Sequence, residues 1–319
     1  MDTMTKSKGD RMLSIYLRLQ NGQIISKKKE AERFQVCAKT IERDIGALNT
    51  LLCMEYPLHK IEYDKILGGY YLDGKGSMLT NSEILAVCKI LLESRSMPKQ
   101  DMYLLLDKLV ACCVPPDNRK NVSDLIRNER HHYIEPHHGT SILNRLWEIG
   151  AAVNQQLVME IDYEKLKGHE TVHRVIEPVG IMFSEYYFYL TAFIRDIDRK
   201  KEFQNPDDLF PTIYRIDRIK SFLVTKEHFN VQYAERFEEG EFRKRVQFMY
   251  GGKLQTVQFR YTGTSIEAVL DRLPTAEVKE NPDGSWDVTA EVFGKGIEMW
   301  LRSQGDSISS TISSNGRTE

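Results

Sequence analysis

The sequence has few cysteines and no long apolar run, and both absences limit the class of protein. Its five cysteines form no C-x-x-C pair, and nowhere do about 18 consecutive apolar residues occur, the usual minimum for a membrane-spanning helix. The N-terminal stretch MDTMTKSKGDR also lacks the apolar core of a signal peptide. We therefore expect a cytoplasmic protein with reduced thiols and no membrane contact.

A strong charge of one sign is absent as well. The 319 residues include 44 Lys and Arg against 46 Asp and Glu, which gives a formal net charge of −2. A polycation would attract nucleic acid over its whole surface, and this chain cannot do so. Any nucleic-acid binding must therefore come from a local basic patch.

The motifs of common catalytic and metal sites are missing. The sequence contains no G-x-S-x-G, no Walker loop, no H-E-x-x-H and no G-x-G-x-x-G after a strand. The histidine pairs 131–132 and 137–138 flank Glu135, but their spacing matches no standard zinc pattern, and Pro136 would break a helix that aligned them. A solvated connector is favoured over a metal site, and we predict no enzyme and no cofactor.

The spacing of apolar residues predicts three amphipathic helices near the N-terminus. The first lies within residues 10–22 and ends at their Asn-Gly pair, and Ser26 is the expected N-cap of the second, KKKEAERF. The apolar positions of the first and third helices are Met12, Ile15, Tyr16 and Leu19, then Ile41, Ile45, Leu48 and Leu52. Two β-type runs around Gly68-Gly69 then predict a hairpin over residues 61–72.

Basic residues mark one side of these predicted helices and the hairpin tip. The candidate DNA-binding residues are Lys27, Lys29, Lys39, Thr40, Arg43 and Lys65. In a helix-turn-helix, the first residues of the second helix of the motif contact base edges, and the preceding helix contacts phosphates. Residues 26–43 contain six basic and three acidic residues. This is a modest net positive charge for a DNA-binding surface, and a dimer would double it. A helical bundle with a merely solvated charged face is the alternative.

The stretch QIISKKKEAERFQVCAKTIERDIGALN resembles the N-terminal winged helix-turn-helix of DeoR-type bacterial regulators. Its T-I-E-R-D-I-x-x-L part is similar to the start and core face of their recognition helix. Cys37 departs from the pattern, because a capping Ser is common there and cysteine caps poorly. The resemblance implies duplex DNA as the partner.

Helices and then short strands are predicted for the middle of the chain. Thr80-x-x-Glu83 is a capping-box pattern in front of a helical stripe, and a second helix ends before Pro115-Pro116. After one more helix, from residue 140, several strands rich in β-branched and aromatic residues follow within about 70 residues. Such strands are typical of a small barrel or a strongly curved sheet.

The order R-V-x-E-P-x-G, F-Y-L and Y-R-I-D-R-I resembles a WYL domain, with Phe188-Tyr189-Leu190 as its Trp-Tyr-Leu signature. This family is a small Sm- or SH3-like barrel of bacterial regulators, thought to sense a ligand such as a nucleotide or single-stranded nucleic acid. The resemblance implies these effector-binding residues: Arg174, Tyr189, Arg215 and Arg218. Strand parity sets Arg215 and Asp217 on one face and Arg218 on the other, so Arg218 is the weakest choice. The alternative is that these arginines form structural ion pairs.

The C-terminal part predicts the element order βαββαβ, with a hairpin turn at Pro282-Asp283-Gly284 and a Trp300-bearing last helix. It resembles the extension that often follows WYL domains and tends to contact the partner subunit. The tail from Ser313 is expected to be disordered. The fold class is thus α+β multidomain: a winged helix-turn-helix, a helical linker, an Sm/SH3-like barrel and a ferredoxin-like domain. Their predicted ranges are 1–75, 76–139, 140–230 and 240–312.

Two functional hypotheses remain. The first is a homodimeric, ligand-responsive DNA-binding transcriptional regulator whose barrel senses a nucleotide, oligonucleotide or other anionic effector. The second is a single-strand nucleic-acid-binding module whose winged helix is a dimerisation or partner surface. A sugar-phosphate sensor of the DeoR type fits poorly, because no βαβ alternation for a parallel sheet occurs.

Overall fold

The chain divides into two compact units, residues 1–135 and 136–319. The computed structural model describes residues 7–56, 59–73, 79–166, 168–198, 210–230 and 237–314. Within these ranges no helix is both long and apolar enough to cross a membrane.

The first unit begins with three helices and a two-stranded antiparallel sheet, the elements predicted from apolar spacing. They are α1 (Lys8–Gln20), α2 (Lys27–Phe34), α3 (Ala38–Glu55), β1 (Lys60–Asp64) and β2 (Gly69–Asp73). Their shared core consists of Ile15, Leu19, Ile25, Ile41, Ile45, Leu48, Leu52 and Ile61. A capping box of Ser7 and Asp10 starts α1. Ser26 does precede α2, but its side chain makes no capping hydrogen bond, contrary to the prediction.

Three further helices complete the first unit around a second core. They are α4 (Asn81–Ser94), α5 (Lys99–Ala111) and α6 (Asn118–His131). The capping box at Thr80 and Glu83 is present as predicted. Helix α6 was not predicted, since the sequence indicated a polar connector there. It buries only Val122 and Ile126, too few apolar residues to make a visible stripe.

The second unit begins with α7 (Leu143–Gln155) packed on a five-stranded antiparallel sheet. Its strands are β3 (Leu157–Glu164), β4 (Thr171–Ser184), β5 (Tyr187–Ile194), β6 (Thr212–Arg215) and β7 (Ile219–His228). They lie in the order β6-β5-β4-β3-β7, so β6 and β7 are the two edges. A core fills the concave side, which we call the inner face, and includes Ile161, Ile176, Leu190 and Tyr214.

The curvature of this sheet follows from one short connection. Only the 3-10 turn Ile216–Arg218 separates the edge strands β6 and β7. In a flat sheet, four strand spacings would hold those edges roughly 19 Å apart, whereas three residues of 3-10 helix rise only about 6 Å. The sheet therefore curls until its edges approach each other, as predicted for a small barrel or strongly curved sheet.

The rest of the second unit is a four-stranded antiparallel sheet with helices. Its elements are α8 (Glu239–Arg245), β8 (Leu254–Tyr261), α9 (Glu267–Arg272), β9 (Glu277–Glu280), β10 (Trp286–Phe293), α10 (Gly296–Ser303) and β11 (Ile308–Ser314). The strand order is β11-β8-β10-β9. Trp300 lies in the core, as predicted. Strand β11 includes Ser313 and Ser314, so the expected disordered tail was wrong for these two residues; residues 315–319 lie outside the described part of the chain.

Candidate functional site

The connection between α2 and α3 is short and places the first turn of α3 in solvent. Gln35 follows α2 in the left-handed conformation (φ 54°), and α3 begins three residues later. Because Ile41 and Ile45 hold α3 on the core, Lys39 and Arg43 on the opposite side are exposed. The structure thus presents both predicted side chains at the N-terminal end of the helix.

The helix start itself is weakly capped. Cys37 occupies the N-cap with an extended backbone and makes no side-chain capping bond. Its sulfur instead lies 3.2 Å from the hydroxyl of Thr40, which is half-buried, and this hydrogen bond lowers the pKa of the thiol. Thr40 is therefore less available to an external partner than Lys39 and Arg43.

Two ion pairs that the sequence did not predict stabilise the packing of the three helices. Arg11 on α1 donates from Nε to the Asp44 carboxylate at 2.5 Å, and both side chains are buried. Arg18 makes a two-bond pair with Glu30 on α2, at 2.7 and 2.5 Å. The sequence feature that could have indicated the first pair is the acidic Asp44 next to Ile45 in the apolar stripe of α3. These pairs join α1 to both other helices.

A groove between the start of α2 and the hairpin adds further basic groups. It has a volume of about 510 Å³ and is lined by Ser26, Lys27, Lys28, Tyr63, Gly68 and Tyr70. Lys27 is half-exposed and pairs with Glu42 at 3.2 Å, which raises its pKa. Lys29 is exposed, and Lys65 is exposed in the turn of the hairpin. Lys27 is thus the only member of the predicted set that already has a carboxylate partner among the described residues.

The hairpin is attached to the segment between α1 and α2. Ile25 and Tyr70 form an antiparallel bridge with backbone hydrogen bonds of 2.8 and 2.9 Å. The close backbone approach requires Gly69, since an added Cβ would lie 2.9 Å from the Ile25 carbonyl oxygen. The hairpin turn with Lys65 is therefore held beside the start of α2.

In the second unit, Tyr189 on β5 and Arg215 on β6 are directly opposite each other in the strand register. Both lie on the outer face of the curved sheet, the side opposite the inner face. The Arg215 guanidinium carbon lies 3.4 Å from the ring centroid of Tyr187, and the group donates to both carboxylate oxygens of Asp217 at 3.1 and 2.8 Å. The ion-pair alternative is thus observed for Arg215. Tyr187 and Asp217 belong to this site but were not predicted.

Tyr189 is partly buried by neighbouring side chains, although the resemblance implied that it contacts an effector. Its ring packs against a cluster that includes Met182 and Phe242 of α8. Burial raises the pKa of Tyr189 to about 12, so its phenol stays neutral at physiological pH. The aromatic face under Arg215 belongs to Tyr187, which has the same strand parity as Tyr189.

His138 lies next to the outer-face cluster, by which we mean Tyr187, Tyr189, Arg215 and Asp217. Its ring centroid is 6.1 Å from that of Tyr187, and its Nδ1 accepts the Thr140 backbone N–H at 3.0 Å. Burial lowers the pKa of His138, so the ring is neutral at physiological pH. Among the described residues no group of three or more His, Cys, Asp or Glu could hold a metal ion. No pattern in the sequence could have placed His138 here.

Arg174 and Arg218 lie at a different place, near the inner face. Arg174 is opposite the buried Ile161 in the β3–β4 register. Burial raises the pKa of Tyr214, and the charge of Arg174 opposes this rise. Arg218 ends the 3-10 turn, and its charge acts on Tyr163, whose ring is 4.9 Å from that of Tyr214. The four predicted effector residues therefore divide into an outer pair and an inner pair.

The inner pair includes hydrogen-bonding groups without partners. The Nε–H and Nη1–H groups of Arg218 are buried and donate to no acceptor among the described residues, and Arg218 forms no ion pair there. The Tyr214 hydroxyl is likewise buried, with Thr212 beside it but outside hydrogen-bonding geometry. A carboxylate partner for Arg218, the expected alternative, is thus not found in the described part of the chain.

Residues 145–224 match the model of the WYL domain. The chain contains a WYL domain. The match spans most of α7 and the curved sheet as far as Val224 in β7, including all four predicted effector residues. It confirms the resemblance that rested on Phe188-Tyr189-Leu190 and the surrounding motifs.

Comparisons of the whole chain with solved structures and with curated proteins do not extend this relationship beyond the WYL domain. One solved structure that is similar is proteasome accessory factor B/C (PafBC) of Arthrobacter aurescens, at 16% identity over 95% of this chain and 45% of that chain. This chain therefore spans less than half the length of that relative. The TM-score is 0.28, so the likeness supports no structural argument. No curated protein matches the chain.

Proposed function

We propose that the protein is a cytoplasmic, non-enzymatic DNA-binding transcription regulator whose WYL domain senses an anionic ligand. The observation that carries the proposal is the exposed pair Lys39 and Arg43 on the first turns of α3, in a chain that also contains a WYL domain. In this reading residues 1–75 form a DeoR-type winged helix-turn-helix, with α3 as recognition helix and the β1–β2 hairpin as wing.

The arrangement of the three helices and hairpin supports this reading. The three-residue link from α2 to α3 and the Arg11–Asp44 pair fix α3, while Lys39 and Arg43 are exposed and can contact a major groove. In this proposal the exposed side chains of Lys28, Lys29 and Lys65 contact the backbone phosphates beside that groove. Glu30 adds no exposed negative charge to this surface, because Arg18 neutralises it.

The outer-face cluster of the WYL domain supports an anionic effector. Arg215 stacked on Tyr187 combines a planar cation with an aromatic face, the pairing that binds a phosphate and a stacked base. Asp217 holds the guanidinium in place, and a bound anion would compete with it. The unpaired N–H groups of Arg218 on the inner side are further donors for the same class of ligand.

Regulation in this proposal requires two states of a homodimer. The effector changes operator binding only if it binds one dimer arrangement better than the other. The strand order β11-β8-β10-β9 with helices α9 and α10 supports a ferredoxin-like C-terminal domain, the part that we assign to subunit contacts.

Replacing Arg43 by Ala tests the assignment of α3. We expect the variant to lose sequence-specific duplex binding, because a bidentate base contact contributes about 1–3 kcal/mol of discrimination, while circular dichroism and gel filtration stay unchanged. The measurement is a gel-shift titration with duplex DNA from upstream of its own gene.

The matched control is Arg127→Ala, which removes an exposed arginine of α6 that pairs only with Asp124 among the described residues. Equal binding by Arg43→Ala and the parent protein would refute the assignment. If both proteins bound single strands alone, the single-strand-binding alternative would replace it.

A further inference from the structure

A polar cavity in the second unit has none of the four residues of the outer and inner pairs in its lining. Its volume is about 230 Å³. One wall is the turn between β4 and β5 at Ser184 and Glu185, and the other walls come from α8, α9 and the segment after α8. The size suits a small ligand, since drug-sized pockets usually exceed about 300 Å³.

Arg272 is the cation of this cavity with a buried donor that lacks a hydrogen-bond partner in the described part of the chain. Its Nε is buried without a hydrogen-bond partner among the described residues, and its Nη2 reaches Glu185 Oε1 only at 3.5 Å. These two nitrogens form one edge of the planar guanidinium, the edge that binds an oxyanion through two parallel bonds. The Glu185 carboxylate therefore lies where an anion would bind, but it makes one long hydrogen bond to Nη2 and none to Nε.

The surroundings orient the guanidinium. Its carbon lies 5.0 Å from the ring centroid of Phe248, and the Arg272 carbonyl accepts a bond from the buried Gln247 side chain at 3.3 Å. The backbones of Phe248 and Met249 both adopt the left-handed conformation, with φ of 51° and 56°. Consecutive non-glycine residues in that region carry strain, which is common at ligand sites.

Three cationic and two acidic side chains line the cavity, namely Arg243, Lys244 and Arg272 against Glu185 and Asp271. Arg243 and Lys244 of α8 are exposed; Lys244 pairs with Glu241 at 2.5 Å, whereas Arg243 forms no ion pair within the described ranges. Glu185 is the acidic group that contacts Arg272, and its side chain is more than a third exposed. An incoming anion can thus displace the Glu185 carboxylate into solvent without breaking a buried pair.

We propose that this cavity is a second binding site, for a small oxyanion, phosphate or carboxylate, which takes the place of Glu185 on Arg272. The ligand accepts hydrogen bonds from Nε and Nη2 of Arg272, while Arg243 and Lys244 attract its charge. The site shares no residue with the proposed effector site, so it stands whether or not that proposal holds.

The test is an NMR titration of the full chain with inorganic phosphate, and in a second arm with succinate, at constant ionic strength. The arginine Nε–H signals of Arg272 and Arg260 are assigned by their loss in Arg272→Gln and Arg260→Gln. Arg260 is the matched control, because the same edge of its guanidinium is already paired with Asp287 at 2.8 and 3.4 Å. We expect a saturable shift of the Arg272 signal and none of the Arg260 signal.

Two variants separate binding from folding. Arg272→Lys keeps the charge but removes the planar edge, so we expect affinity measured at the Phe248 amide to fall about tenfold or more. Glu185→Gln removes the internal carboxylate and should bind more tightly. The arm with the tighter binding identifies the preferred oxyanion. Parallel shifts of all arginines, an unchanged affinity in Arg272→Lys, or binding lost in Arg215→Gln and kept in Arg272→Lys would overturn the proposal.

Discussion

At the scale of single residues, the role of each arginine is set by neighbours that are distant in sequence. Arg11 is buried against Asp44, 33 residues away, whereas Arg215 lies on Tyr187 and Arg218 has two buried nitrogens without a partner. The sequence indicated which arginines are basic candidates on the curved sheet. It could not indicate their partners, because these meet only when separate strands and turns are packed together.

The Arg11–Asp44 pair leads to a stability prediction. Asp44→Ala leaves the Arg11 cation buried and unpaired, so we expect the N-terminal helices to lose about 3–5 kcal/mol of unfolding free energy. Asp124→Ala, which removes an exposed carboxylate paired with Arg127, should cost less than about 1 kcal/mol. Hydrogen exchange of the α1 and α3 amides in urea measures both. Similar small losses in the two variants would show that the buried pair is not what holds α3.

At the scale of elements, apolar periodicity predicted those helices and strands that bury a continuous stripe. Helices α1 and α3 follow such stripes, whereas α6 buries two apolar residues and α8 only Phe242, so neither was visible in the sequence. The 3-10 turn after β6 was also missed, because its residues Ile216–Arg218 continue the alternation of a strand. Elements held mainly by tertiary packing are those that local pattern does not reveal.

The attachment of the hairpin can be tested with Gly69→Ala. The new Cβ would lie 2.9 Å from the backbone carbonyl oxygen of Ile25, so β2 must move away from Ile25, at a cost of about 1–3 kcal/mol. We expect faster amide exchange at Ile25 and Tyr70 and weaker duplex binding, because Lys65 loses its fixed position. Gly46→Ala on the exposed side of α3 is the control, since nothing lies within 4 Å of its added Cβ. Faster exchange with unchanged duplex affinity in Gly69→Ala would mean that the hairpin does not contribute to DNA binding, and unchanged exchange would mean that Gly69 is not required for its attachment.

At the scale of the whole molecule, the two units carry different parts of the proposed function. The first presents Lys39 and Arg43 on α3, and the second contains the WYL domain at residues 145–224. Physical patterns in the sequence indicated helices, a curved sheet and a basic patch. Only the resemblance of the motifs indicated a WYL domain, because ligand sensing leaves no periodic signal along a chain.

The most direct test of the DNA-binding proposal is a fluorescence-polarisation titration of the full chain. The probe is duplex DNA from upstream of its own gene, measured at several salt concentrations beside a scrambled duplex and a single strand. We expect tighter binding to the upstream duplex than to either control, with an affinity that falls steeply as salt rises because phosphate contacts release counterions. Equal affinity for the upstream and scrambled duplexes, or binding to the single strand alone, would contradict the proposal.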